Sequence, residues 1–188
     1  MRWDGLFNDL SAQAEALDVA ERSAEIEDRT RSELGRITFV DRCHASLGHE
    51  VRLNCAGGYQ VQGVLRRANG QWLLLQLGNG LEALVVVDQV VTVSGLGRLA
   101  EPEHVRGRVE RRLGLAHALR RIARDRSSVH LHLEHGGLDG TIDRVGRDFL
   151  ELAVHPAGEA RRTRAVRSIV LVPLAALVAA VRSRDAVE

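Results

Sequence analysis

The 188 residues are 45% hydrophobic and 27% charged, a balance that predicts a soluble globular chain with a core, built as one domain or two small ones. All 26 basic residues are arginine, which excludes Schiff-base, P-loop-lysine and acetyl-lysine chemistry and makes every cation a planar, forked guanidinium. The formal net charge of +1 hides a gradient, because residues 1–50 hold 6 arginines against 11 acids and residues 101–128 hold 8 against 4.

The acidic start, residues 1–35, carries Leu6, Leu10, Leu17 and Ile26 among alanines and acids. This spacing predicts a long helix over 6–34 with a thin apolar face. Asp4 and Asp9, with no apolar run behind them, argue against a signal peptide. Residues 36–97 read as a first module. Ile37, Val40, Cys43, Ala45 and Leu47 suggest a helix over 37–47. Val51, Leu53 and Cys55 then alternate with polar residues as in a half-buried strand. Gly57-Gly58 supplies a hairpin turn, Gly63 a bend or bulge, and Trp72–Leu75 a third strand. An apolar stretch, Ala83–Val93, closes the module.

Residues 98–110 read as a linker. Residues 111–182 repeat the first pattern at a period near 77. Leu113–Ala123 has Leu115, Ala118, Leu119 and Ile122 at helical spacing, and Val129, Leu131 and Leu133 alternate as a strand. Gly136-Gly137, Gly140 and Phe149–Leu152 come in the same order as their counterparts. Trp72 and Phe149 are expected to plug the two cores. The final apolar run, Ile169–Val181, contains Pro173 and is too short to span a bilayer. Residues 183–188 form a tail. The fold class expected is therefore α+β: a long N-terminal helix followed by two tandem helix-plus-small-β-barrel modules packed on each other.

A helix followed by Val-x-Leu, Gly-Gly, Gly-x-Leu, Trp-Leu-Leu-Leu and Val-Val-Val-Asp-Gln-Val resembles the Sm-like and SH3-like small β-barrels. The resemblance implies a five-stranded barrel in each module and, for Sm-like proteins, ring assembly and single-stranded RNA binding. The family's pocket uses an Asp, an Asn and an Arg-Gly. Those positions fall here on Asn69 and Gly146, on Leu73 and Leu150, and on Ser94-Gly95, so the usual nucleotide pocket is not expected. The stretch Ala118–Val129 is also similar to the helix-turn-helix of bacterial proteins labelled Fis-type transcriptional regulators. The residues after it alternate and then break at Gly136-Gly137, where a recognition helix would be needed.

The candidate functional surface is arginine-rich. Arg111, Arg112, Arg120, Arg121 and Arg124 lie in or beside the second helix, and Arg161, Arg162 and Arg164 lie in a long loop. Guanidiniums bind phosphates bidentately, so these eight could form a track for RNA or DNA. The bland alternative is a solvated face, or pairing with Glu15, Glu21, Glu25, Glu27 and Asp28. A weaker candidate is a metal site at His130, His132 and Glu134, set against an ordinary polar strand face. Asp139, Asp143 and Asp148 read as turn caps and partners of Arg144 and Arg147. Cys43 and Cys55 have no metal or redox spacing and suit a reducing cytosol; Cys55 is expected to face the first core.

No nucleophile elbow, phosphate loop or zinc spacing is present, so no enzyme activity and no cofactor are expected. Two functions remain open. One is a non-catalytic, nucleic-acid-associated regulator acting through the arginines. The other is a protein–protein scaffold that uses a barrel groove and the acidic helix of residues 1–34, and a cytoplasmic location is expected for either. Neither involves a membrane, and self-association is expected in both.

Overall fold

Alternating sequence becomes strands, and the strands join into one sheet. The computed structural model describes residues 32, 34–101, 114–156 and 168–182. The chain divides into two units, Met1–Thr38 and Phe39–Glu188. Of the first unit, the described part includes a turn closed by the Ile37 N–H donating to the Leu34 carbonyl at 3.2 Å. The predicted helix over 6–34 falls almost wholly outside the described residues.

The second unit runs α1 (Phe39–Ala45), β1 (Glu50–Cys55), β2 (Gln60–Ala68), β3 (Trp72–Leu77), β4 (Glu82–Val86) and β5 (Val90–Ser94). It continues with α2 (Leu115–Asp125), β6 (Ser128–Leu133), β7 (Gly136–Val145), β8 (Phe149–Val154), β9 (Ser168–Pro173) and β10 (Leu177–Arg182). The 10 strands form a single sheet in the order β5-β1-β2-β3-β4-β10-β6-β7-β8-β9. Every neighbouring pair is antiparallel.

This corrects the expected fold class. The described residues contain no long helix, the α-helices of the second unit being α1 of 7 residues and α2 of 11, and the arrangement is one antiparallel sheet instead of an α+β pair of modules. The physical reason lies at the seam between β4 and β10, where Ala83, Leu84 and Val85 pair with Val181, Ala180 and Ala179. A strand buried on one face alternates, whereas a strand buried on both faces is apolar throughout. Both seam strands are of the second kind: Ala83–Val86 and Leu177–Ala180 are buried without interruption.

The seam also interlocks two cores. Ala83 and Val85 of β4 pack with Leu53, Leu65 and Leu75, joined by Val178 and Ala179 from β10. Leu84 and Val86, the alternate residues of β4, pack instead with Leu119, Leu131, Leu150 and Leu152. Trp72 belongs to this second core as well, so it plugs the core opposite to the one expected. Phe149 is only half-buried and lies against Gly146. Cys55 faces the first core as expected, and burial lifts its thiol to about 11.

The glycines serve different needs. Gly57 and Gly58 turn with φ of 66° and 74°, a left-handed conformation that L side chains avoid. At the second hairpin only Gly136 does so, while Gly137 stays small because a Cβ there would press on the His130 ring. Gly63 is no bulge: its β-carbon would sit 2.5 Å from the Gln76 carbonyl oxygen of the adjacent strand. The ladder shifts further along, between Leu65 and Arg67 in β2 and between Ile142 and Arg144 in β7.

Candidate nucleic-acid interface

The helix that carries the candidate arginines begins at Leu115, two residues later than its periodicity suggests, and ends at Asp125. Its N-terminus lacks a local side-chain cap, and Gln71 fills that role from across the seam by accepting from the Leu115 N–H at 2.8 Å. Leu115 and Leu119 anchor one face in the second core. Arg120 and Arg124, one turn apart, share another face.

Four arginines and one acid line a shallow groove of about 680 Å³: Arg120, Arg124, Arg126 and Arg144, with Asp143. Ala123, Ile142 and Val145 form its apolar floor. Arg120 is held in place, its Nε donating to the Val145 carbonyl at 3.2 Å and its Nη2 to the Gly146 carbonyl at 2.8 Å. Arg144 is 81% exposed and lies 3.8 Å from Glu151, a separation that binds it weakly. Arg126 closes the helix with φ of 51°, and it is the one described non-glycine residue at positive φ. That position ordinarily favours glycine, and a side chain with a β-carbon there costs about 1 kcal/mol. Arg124 sits in the last turn, where a cation also complements the helix dipole.

The other predicted arginines separate from this groove. Arg121 points to the opposite side of α2, into a cleft of about 340 Å³ at the seam. Arg67, Arg182, His117, Glu82 and Asp125 line that cleft with Trp72 and Leu84. Arg111, Arg112, Arg161, Arg162 and Arg164 lie outside the described residues, as do the acids Glu15, Glu21, Glu25, Glu27 and Asp28 weighed as their partners. Three arginines elsewhere are occupied: on the sheet Arg52 forks onto Gln62 and Arg66 onto Gln76, and Arg42 of α1 forks onto the Gly97 carbonyl.

His130 and His132 both contact other side chains of the chain. His130 meets Asp139 at 2.8 Å, so Asp139 serves a histidine and not an arginine. His132 stacks on Tyr59, with ring centroids 3.8 Å apart and planes 28° from parallel, and lies edge-on to His130 at 4.4 Å. Glu134 falls in the turn beyond the strand. Among the described residues no three potential ligands converge. Burial, and then the neighbouring His130, press the His132 pKa down to about 4 against the opposing pull of Asp139. Burial with the nearby Cys55 raises Tyr59 to about 12. The Tyr59–His132 stack ties the first hairpin to β6, a contact with no local signature in the sequence.

A third histidine is structural. His155 is 1% exposed; its Nδ1 donates to the Pro156 carbonyl at 3.0 Å, which leaves Nε2 to accept from the Thr141 hydroxyl at 2.9 Å. No described helix is long and apolar enough to cross a membrane. Comparison with family models, curated proteins and solved structures finds no match for the chain.

Proposed function

We propose that the chain is a non-catalytic, nucleic-acid-associated regulator that contacts the phosphates of RNA or DNA through the groove between α2 and β7. One observation carries this reading: four guanidiniums face a common groove with a single acid among them, and one of the four occupies a backbone position that disfavours it. A purely solvated helix end gains nothing from holding a non-glycine residue at positive φ, whereas a binding site can retain such strain. Arg120, pinned through two of its donors, has further donors left for a ligand in the groove and little entropy to lose on binding one. The described surface offers few exposed aromatics for base stacking, so the contact proposed is to the backbone and is tolerant of sequence.

The test is fluorescence anisotropy with labelled single-stranded RNA and labelled duplex DNA at low salt. Wild type should bind at least one of them, and Arg120→Glu combined with Arg124→Glu should weaken that binding tenfold or more while the far-UV circular dichroism is retained. No binding of either nucleic acid by the folded wild type at low salt would sink the proposal.

A further inference from the structure

Among the described residues the sheet ends in two strands, β5 and β9, each paired on one side only. Unpaired edges leave rows of N–H and C=O groups, and exposed apolar edges invite another chain. The apolar exposure of this unit gathers there. Val91 of β5 is 69% exposed, and Ile169 and Leu171 of β9 are 65% and 58% exposed. Leu47 and Leu99, the remaining large exposed apolar residues among those described in the unit, lie in loops.

The seam inside the chain already demonstrates how two such edges fit. β9 is to β8 as β4 is to β3: Leu171 lies opposite Glu151 as Leu84 lies opposite Leu74. β5 is to β1 as β10 is to β6. Val93 lies opposite Leu53 as Ala180 lies opposite Leu131, and both ladders shift register further along. By this correspondence the free edge β9 is the equivalent of β4, and the free edge β5 is the equivalent of β10. Leu84 is 4% exposed and Val178 is fully buried because β4 and β10 meet. Their counterparts Leu171 and Val91 remain exposed because β9 and β5 of one chain stand at opposite ends of the sheet.

We infer that β9 of one copy pairs antiparallel with β5 of a second copy, with Val172, Leu171 and Val170 opposite Thr92, Val93 and Ser94. Val91 would then enter the core formed by β6–β10, and Leu171 would enter the core formed by β1–β5 of the neighbour, as Val178 and Leu84 cross over at the seam. Pro173 lacks an N–H and would end a ladder, but its counterpart Val86 lies one residue beyond the seam's paired stretch, so the proline does not block it. The contact is heterologous, since each copy offers two different edges, and it propagates into a ring or a chain of copies.

The experiment is light scattering coupled to size-exclusion chromatography on concentrated wild type, Val91→Arg and Leu171→Arg, with circular dichroism to confirm folding. Wild type should elute at several times the monomer mass, and each variant alone should be monomeric. Each variant keeps one sound edge, and the two sound edges differ. An equimolar mixture should therefore form a one-to-one dimer of twice the monomer mass and nothing larger. A monomeric wild type, an effect of Leu171→Arg without an effect of Val91→Arg, or a mixture that stays monomeric would overturn the inference.

Discussion

Leu84→Ala tests whether the sheet behaves as one body. Leu84 belongs to the first five strands by sequence, yet its side chain is buried among residues of the last five. Truncation removes three carbons, about 2.4 kcal/mol at roughly 0.8 kcal/mol for each buried methylene, and the cavity brings the loss to about 3 kcal/mol. For a chain of this size that lowers Tm by roughly 6–12 °C. The assay is urea unfolding, followed by far-UV circular dichroism and by Trp72 fluorescence in a Trp3→Phe background, together with native-state hydrogen exchange. The amides of Leu53 in the first core and Leu152 in the second should lose the same protection, and the two optical transitions should coincide before and after the substitution. If the Leu53 and Leu152 amides respond differently, or the transitions separate, the seam does not couple the halves.

Three other substitutions probe single residues. Arg126→Gly should relieve the left-handed backbone and raise stability by about 0.5–1 kcal/mol in denaturant melts, while weakening nucleic-acid binding by removing a groove cation. His132 is held neutral in the fold with its pKa lowered to about 4, so the unfolded chain takes up the proton first; stability should fall as pH drops from about 6.5 to about 4, and His132→Phe should flatten that window in melts run across it. Ser128 buries a hydroxyl oxygen without a hydrogen-bond partner, so Ser128→Ala should leave Tm unchanged or raise it, and a clear fall in Tm would contradict that placement.

The local grammar of the fold is legible in the sequence. Val51, Leu53 and Cys55 announce β1 by alternation, and Leu115, Leu119 and Ile122 announce α2 by helical spacing. The seam is visible only in part. Ala83–Val86 and the run containing Leu177–Ala180 stand out as apolar stretches, but nothing local says that they pair with each other across so long a stretch of chain. A period-2 pattern reports which face is buried, and a two-sided strand reports only that both are. The same separation explains why Trp72 plugs the second core although its neighbours in sequence build the first.

The candidate site divides along the same line. Arg120 and Arg124 share a helix face and can be read together from their spacing. Arg121 comes directly after Arg120 in sequence but faces the other cleft, because adjacent helical residues diverge by about 100°. Arg144 joins the groove from β7, and only the packing of α2 against that strand brings it there. Tyr59 and His132 meet for a similar reason, since the first hairpin folds back against β6 through Gly57, where a β-carbon would strike the Glu134 carbonyl.

The salt dependence of nucleic-acid affinity tests the central claim most directly. Anisotropy titrations of labelled duplex DNA and single-stranded RNA should be run from low to moderate salt on wild type and on Arg124→Gln combined with Arg126→Gln. Each phosphate contact contributes roughly −0.7 to −0.9 to the slope of log K against log salt. Losing two such contacts should make the slope shallower by about 1.4 to 1.8 and weaken binding across sequences alike. A slope that the double substitution leaves unchanged would place the phosphate contacts elsewhere and contradict the account.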